Sequence, residues 1–455
     1  MTDPIYRPGP IDGVSVEERA CIPQTGVLHA YVWWAAQTTH APPWWHVGAG
    51  LTAFASEAAR CGYELGDGDD NKSCLWVSLV GPSAAGKTTS INRLTDFYTA
   101  YLEPLEVAKP FIQAEGSLPG MFATLTDKYD HEADHTLGLL VQDELTRLLD
   151  TKQPITEMLM QIADGRQIER HLKKEQERRR AGQQAQDVLR NPKISALFAT
   201  THSNLRRVSK AHHADAGLYS RMLWFIGAPN PAALKLLPDT CPAERRCALE
   251  QWRDWQQWQI AEYNISGNNR ITFPAEVLAI LEHSLFEKAR KGLESPDRLA
   301  AAKLRGITQA YKIAALFALS QKRTTVWSED MDCAVNLVER CQGDYALHID
   351  PEIGVSETMI MINRAFLAIR QKGQTGLPRT QLYKVLKAAK YQIDDVVATL
   401  LDEGSVEEVK TQTRGRPAKR YIALGPERFT RTDATDATVI PINSTPTVDT
   451  AKGDT

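Results

Sequence analysis

The stretch Cys74-Leu75-Trp76-Val77-Ser78-Leu79-Val80-Gly81-Pro82-Ser83-Ala84-Ala85-Gly86-Lys87-Thr88-Thr89 decides the fold. Its apolar run is long enough for a buried strand and breaks at Gly81 into a short loop closed by Gly86. Lys87-Thr88-Thr89 opens an amphipathic run through Ile91, Leu94, Phe97 and Tyr98, the spacing of a helix. Strand, loop and helix together satisfy G-x-x-x-x-G-K-[ST] at every fixed position. The loop from Gly81 through Pro82, Ser83, Ala84 and Ala85 to Gly86 can turn backbone N–H groups onto phosphate oxygens. The start of the helix, at Lys87, Thr88 and Thr89, adds a favourable dipole. Lys87 is placed to reach β- and γ-phosphates, and the Thr88 hydroxyl to hold Mg²⁺. A nucleoside triphosphate with Mg²⁺ is the ligand this pattern predicts.

Downstream, Pro110–Ala114 reads as a second short strand, and Glu115-Gly116-Ser117 caps a helix with Pro119 in its first turn. A third strand, Leu137–Gln142, delivers Asp143-Glu144 at its C-terminal edge, about 55 residues beyond the phosphate loop. Two carboxylates there suit hydrolysis: Asp143 to bind Mg²⁺, through water, and Glu144 to polarise the attacking water. A fourth strand, Ile194–Ala199, ends in Thr200-Thr201-His202-Ser203-Asn204. Thr201 is the first choice for a γ-phosphate sensor, with His202 and Asn204 as alternatives and a simple turn as the plain reading. In Gly217-Leu218-Tyr219-Ser220-Arg221-Met222-Leu223-Trp224-Phe225, Arg221 heads a strand. There it can neutralise charge on a transferring phosphoryl group, in its own site or a neighbour's, or form a structural ion pair.

Several other features compete for function. His131-Glu132-Ala133-Asp134-His135 satisfies H-E-x-x-H, but zinc chemistry needs both histidines on one face of a packed helix and a third ligand. Polar flanks and the strand that follows make a solvated loop the expectation. Residues 151–192 carry helical periodicity and then a mixed charged run through Arg166, Arg170, Lys173, Lys174, Arg178, Arg179 and Arg180. Such a run is either a solvated face or a basic element gripping a nucleic-acid backbone in a central channel. Pro42-Pro43-Trp44-Trp45-His46 starts a helix to Cys61 with Val47, Leu51, Phe54, Ala55 and Ala58 on one face. The tryptophans there, and Trp252, Trp255 and Trp258, are expected to pack rather than stack on bases.

At 455 residues the chain exceeds one ordinary core, and 43% apolar with 24% charged residues is the composition of a soluble globular protein. Net charge −3 argues against a surface coated in nucleic acid while leaving room for local basic patches. Seven scattered cysteines without C-x-x-C suggest reduced thiols, and no run of eighteen apolar residues or signal peptide is read. A cytoplasmic protein is the expectation.

Residues 356–424 read as a winged helix: helices from about Met359 to Gln371, Arg379 to Ala389 and Gln392 to Leu401, then strands Val406–Thr411 and Lys419–Leu424. Twelve Lys/Arg against seven Asp/Glu give this segment a net +5. DNA binding is expected through Arg414, Arg416, Lys419 and Arg420, although Asp394 and Asp395 on the third helix suit a protein partner. The expected division is an irregular and helical segment over 1–73, a P-loop core over 74–230 and a helical domain over 231–350. The winged helix follows over 356–424, then a Thr/Asp/Pro-rich disordered tail over 425–455.

Over roughly residues 40–345 this order of elements resembles the AAA+ ATPases of the superfamily 3 and MCM helicase kind, and more closely a phage- and plasmid-associated ATPase family found beside primase domains. The phosphate loop, Glu115-Gly116-Ser117, Asp143-Glu144, Asp164-Gly165 and the Ser220-Arg221 segment carry the likeness. It implies an α/β fold, an AAA+/ASCE-like ATPase core with a helical domain and a C-terminal winged-helix domain. By the same resemblance the ligand is ATP rather than GTP, the assembly a homo-oligomeric ring, and the role a DNA-directed motor with a primase partner. The rival is a nucleotide-dependent switch that controls DNA or protein binding by the winged helix.

Overall fold

In the computed structural model Trp76–Val80 (β1) is buried on both faces: Val77 and Leu79 enter one core, Trp76 and Val80 another. Continuous apolar strands of this kind belong to parallel sheets covered on both sides. The structure describes residues 8–65, 74–107, 109–113, 121, 124–125, 128–130, 135–149, 155–170, 187–208, 217–228, 241–266, 269–294, 299–349, 357–386, 388–402, 404–411 and 418–424. They fall into two compact units that divide between Gly354 and Val355.

The first unit is built on a parallel sheet. Its strands after β1 are Phe111–Gln113 (β2), His135–Gln142 (β3), Pro192–Thr200 (β6) and Leu223–Ile226 (β7), in spatial order β2-β3-β6-β1-β7. Tyr129–Asp130 pairs antiparallel with the start of β3. Register sets the functional edge, since Val80 lies opposite both Thr200 and Ile226, and Gln142 opposite Phe198. The strand that bears the phosphate loop and the strand that bears Asp143-Glu144 are therefore separated by β6.

One face is covered by helices Gly26–Thr38 (α1), Pro43–Arg60 (α2), Lys87–Leu102 (α3), Pro242–Ser266 (α6), Ala300–Ser320 (α7) and Ser328–Asp344 (α8). Ile155–Ala163 (α4) and His202–Val208 (α5) contribute Leu159, Ile162 and Leu205 to the other face. The first core runs without a break from Ile11 to Cys341, so the segments 1–73, 74–230 and 231–350 share one interior. In α2 every residue from Pro43 to Ala59 is buried. A helix buried all round lies inside a domain rather than on its surface, so the expected single apolar face is corrected. Small residues make this possible: a Cβ on Gly48 would sit 2.9 Å from the Phe225 ring, and one on Gly50 2.7 Å from Tyr31. Trp252 and Trp255 are fully buried and donate to Val27 O and Leu319 O, which is packing.

The helical periodicity expected over 151–192 is corrected in part: among the described residues of that segment α4 is helical, while Ile168–Arg170 (β4) and Asp187–Leu189 (β5) pair antiparallel. The intervening 171–186, with Lys173, Lys174 and Arg178–Arg180, lies outside the described residues, as do Glu115–Ser117, His131–Asp134 and the 425–455 tail.

The second unit holds helices Glu357–Gln371 (α9), Arg379–Leu386 (α10) and Lys390–Asp402 (α11), with strands Leu377–Pro378 (β8), Val406–Thr411 (β9) and Ala418–Ala423 (β10). The antiparallel sheet has the order β8-β10-β9. Ile362, Leu382, Ile393, Val396, Leu400 and Tyr421 form its separate core. Among the described residues of the chain no helix is long and apolar enough to cross a membrane.

A buried polar knot fixes α2 to α3. The Glu57 carboxylate, fully buried, accepts from Tyr98 OH at 2.9 Å, Tyr101 OH at 2.7 Å and the Arg60 guanidinium at 2.9 and 2.5 Å. Removing one partner of such a network strands the others, so Glu57→Ala should destabilise the first unit by about 3–5 kcal/mol. Denaturant unfolding checks this; a loss under about 1 kcal/mol would mean the knot is not structural.

Candidate active site

Gly81 leaves β1 through a gap no side chain could occupy. A Cβ there would lie 2.5 Å from Gly227 O and 2.6 Å from the Trp45 ring. Trp45 is itself pinned, its Nε1 donating to Phe225 O at 3.0 Å. Gly86 has φ +96°, and a Cβ would stand 2.9 Å from Ala41 Cβ; Ala84 also takes left-handed backbone at φ +61°. Left-handed residues are the element from which anion-binding backbone concavities are made. The Ala41–Trp45 segment thus clamps the loop from outside. Sequence reasoning placed Trp45 in packing but missed that the packing is against the loop, because nothing local in the chain links residue 45 to residue 81.

Pro82, Ser83, Ala84 and Thr88 are exposed, Thr89 is half-buried, and Ala85 and Gly86 are buried. Lys87 is buried, with Nζ donating to Gly81 O at 2.8 Å and Pro82 O at 2.5 Å, 5.8 Å from the Trp45 ring centre. Burial pushes its pKa down, and the charge of Glu144 acts in the opposite sense. The two groups therefore share one electrostatic environment.

Glu144 stands two residues past the end of β3, level with Thr200. Its Oε1 accepts from Thr200 Oγ1 at 2.7 Å, Thr146 Oγ1 at 2.7 Å and Thr146 N at 3.3 Å, and Oε2 accepts from Asn204 Nδ2 at 2.7 Å. Burial alone would raise its pKa, but the donors from Thr146, Thr200 and Asn204 outweigh it and hold the carboxyl below the ordinary range. A carboxylate held ionised and oriented can accept a proton from water. Neighbouring Asp143 is half exposed and lies 3.8 Å from Arg147.

Thr201, the expected sensor, caps α5, its Oγ1 accepting from Asn204 N at 3.1 Å, and makes no bond to Glu144 among those described. Thr200 and Asn204, the latter an expected alternative, are the residues that donate to Glu144. Thr200 escaped notice because the strand was ended one residue early, at Ala199, and a one-residue slip reverses the face a side chain points to. The His202 ring lies 5.9 Å from that of His348.

Arg221 is elsewhere. It closes the Tyr219–Arg221 turn before β7, at the N-terminal ends of the strands, about 13 Å or one strand length from the phosphate loop. It cannot reach its own chain's site. Its guanidinium binds Asp164 in a two-pronged pair at 2.8 and 2.7 Å and donates to Gly217 O at 2.7 Å.

Of the expected DNA contacts, Arg414 and Arg416 lie outside the described residues. Lys419 pairs with Glu408 at 3.0 Å, and Arg420 donates to Thr375 O at 2.8 Å.

The donor set suits Mg·nucleotide. Thr88 and Asp143 offer exposed hard oxygens, and Mg²⁺ bound to phosphates needs only one or two from protein. The buried Lys87 ammonium can exchange carbonyl acceptors for phosphate oxygens. Fold and site together define a P-loop α/β protein.

No protein-family model matches the chain, and no curated protein matches it. Among solved structures, a full-length MCM homolog from Methanopyrus kandleri is similar over 69% of this chain, at 15% identity and TM-score 0.39. The chain spans 58% of that protein's length. The Aeropyrum pernix ORC1 protein, in complex with DNA, is similar over 77% of this chain and 83% of its own, at 14% identity and TM-score 0.21.

Because the Glu144 pKa is depressed in the folded chain, its bonds stabilise the fold above the ordinary carboxylate range and cease to as pH falls through the lowered value. Thr200→Val and Asn204→Ala each remove a donor and should raise that pKa. If Glu144 is the base, the acid limb of kcat/KM for nucleotide hydrolysis moves to higher pH in both variants. An acid limb unmoved in either would remove Glu144 from that role.

Proposed function

We propose that this chain is an ATP-hydrolysing, DNA-directed motor working as a homo-oligomeric ring, a replicative helicase of a phage, plasmid or integrated element. The observation that carries the hydrolase reading is Glu144, oriented by Thr200 at the end of β6, beside the phosphate-loop strand, and by Asn204 in α5. Bound Mg·ATP would supply the transferable phosphoryl group and the charge of the metal. Backbone N–H groups from Gly81 to Thr89 cradle the phosphates, and Lys87 Nζ moves from Gly81 O and Pro82 O to their oxygens. Thr88 and Asp143 orient the metal, and Glu144 takes a proton from the attacking water. Thr200 and Asn204 keep Glu144 aimed.

Two features favour a motor over an isolated hydrolase. Arg221 sits at the sheet edge opposite its own site, so any phosphate it serves belongs to a neighbouring copy. The β4–β5 hairpin rises from the segment between Glu144 and β6, and its connection carries Lys173, Lys174 and Arg178–Arg180, a suitable grip for a DNA backbone. We assign the second unit to a winged helix: three helices and a three-stranded sheet in the order β8-β10-β9 support that assignment. Arg414, Arg416, Lys419 and Arg420 are its proposed DNA contacts, the 231–350 region is a helical lid on the 74–230 ATPase core, and a primase is a further proposed partner.

A second reading is a nucleotide-dependent switch whose winged helix binds DNA or protein. Its support is α11, which exposes Tyr391 and carries Asp394, paired with Arg379, beside Asp395. An acidic, aromatic helix suits a basic protein surface better than a phosphate backbone.

Steady-state ATP hydrolysis with and without single-stranded DNA separates the two. For the motor, DNA should stimulate turnover several-fold, and Glu144→Gln and Lys87→Ala should abolish it; a slow rate indifferent to DNA selects the switch. Arg221→Ala should lose turnover while keeping ATP affinity within about twofold, since the residue never touches its own chain's nucleotide. Full activity in Arg221→Ala would end its assignment to a neighbour's site.

A further inference from the structure

Between α1, α2 and α3, beside the phosphate loop, a polar cluster lies inside the first core. Tyr31 on α1, His46 on α2 and Ser90 on α3 are fully buried, and so is the Nε atom of Arg93, further along α3. Tyr31 Oη, His46 Nδ1, Ser90 Oγ and Arg93 Nε have no hydrogen-bond partner among the described residues. The Tyr31 and His46 rings meet edge-on with centres 6.5 Å apart, and the charge of Arg93 acts on both. Ser90 and Arg93, three residues apart, stand side by side on one face of α3. Four polar atoms therefore share one region, yet none bonds to another.

The cluster is tied to the loop on two sides. His46 follows Trp45, whose ring meets Gly81, and its Nε2 shares a hydrogen bond of 2.7 Å with Thr39 Oγ1. Arg93 Nη2 donates to Thr38 O at 3.3 Å, and Ala41 packs against Gly86. A buried polar atom without a partner costs stability, and native interiors hold few of them. The chemistry of the four narrows what can complete them. Arg93 Nε only donates, while the two hydroxyls donate or accept. Burial takes the His46 pKa down to about 3, with the charge of Arg93 acting in the same sense, so the ring is neutral, with one donor and one acceptor nitrogen. An anion satisfies donors alone. Water accepts from Arg93 and turns its own hydrogens to whichever lone pairs the hydroxyls and His46 present, and internal waters commonly make about three such bonds.

We propose that this cluster is a hydration site, in which ordered water joins Tyr31, His46, Ser90 and Arg93 and so fastens the 38–46 segment to α3. The phosphate loop is then braced in two ways, by the dry contact of Trp45 with Gly81 and by a wet joint on the Gly86 side. The inference concerns how the loop is held, and it stands whether or not the chain hydrolyses a nucleotide.

The test compares the full chain with its Tyr31→Phe variant by denaturant unfolding, a change that removes one oxygen and leaves the ring and its packing in place. Bonded to water, the hydroxyl supports the fold, and its loss should lower the folding equilibrium constant about fivefold. In a dry cluster the same change removes an unpaired buried group, so the constant stays level or rises; that result overturns the proposal. Ser90→Ala should lower the constant by a similar factor. Because the same water serves both groups, the double variant should lose less than the product of the two single losses. A loss equal to that product overturns a shared site. A crystal structure of the unmutated chain supplies a readout independent of stability. Ordered solvent density within hydrogen-bond reach of Tyr31 Oη, His46 Nδ1 and Arg93 Nε is the expected result. No density there, or density that anomalous scattering identifies as chloride, overturns the assignment to water.

Discussion

Three strand ends at one level hold this molecule's chemistry together. Val80 lies opposite Thr200 and Ile226, and β3 ends so that Glu144 comes level with Thr200. A parallel sheet delivers every C-terminal end to the same edge, which is where such folds bind ligands. The hydrogen bond from Thr200 to Glu144 is the local expression of that register. Slide β6 by one residue, and Ala199 or Thr201 would face the carboxylate instead. The same register sends Arg221 to the far edge, so one structural fact places Glu144 beside the phosphate loop and the arginine apart.

Around that edge the chain spends unusual care on covering the phosphate loop. Helix α2 crosses beneath the sheet with nothing larger than hydrogen at Gly48, and Trp45 at its start closes over Gly81 and Gly227. Glu57, further along the same helix, ties it to α3, the helix the loop opens into. Both ends of the phosphate-loop unit are thereby braced by residues that precede it in the chain. In this sense the N-terminal region is part of the phosphate-loop structure rather than a preface to it.

Much of this was legible beforehand, for reasons that can be named. The strands over 76–80, 135–142, 192–200 and 223–226 are long apolar runs, and the loop motif has fixed positions that chemistry requires. Asp143-Glu144 could be found because a carboxylate pair at a strand end breaks the apolar pattern. The paired strands β4 and β5 were hidden because three-residue strands carry too little periodicity to be read. β8, two residues long and containing Pro378, was hidden for the same reason. Thr200 was lost to a boundary, and the pairing of Asp164 with Arg221 and Arg305 to distance, since only the fold brings those residues together.

The packing of Trp45 between Gly81 and Gly227 also carries a consequence for descent. Gly81 is constrained twice over if the loop holds phosphate, once by the backbone's approach to that phosphate and once by an indole ring 2.6 Å from where a methyl group would be. Gly227 meets the same ring at 2.8 Å with no phosphate to constrain it. In lineages that keep the tryptophan, both glycines should be invariant. Where a smaller residue replaces Trp45, position 227 should drift first and position 81 should not drift at all. The contrast between those two glycines would be a record, readable in any set of relatives, of which constraint belongs to packing and which to the ligand.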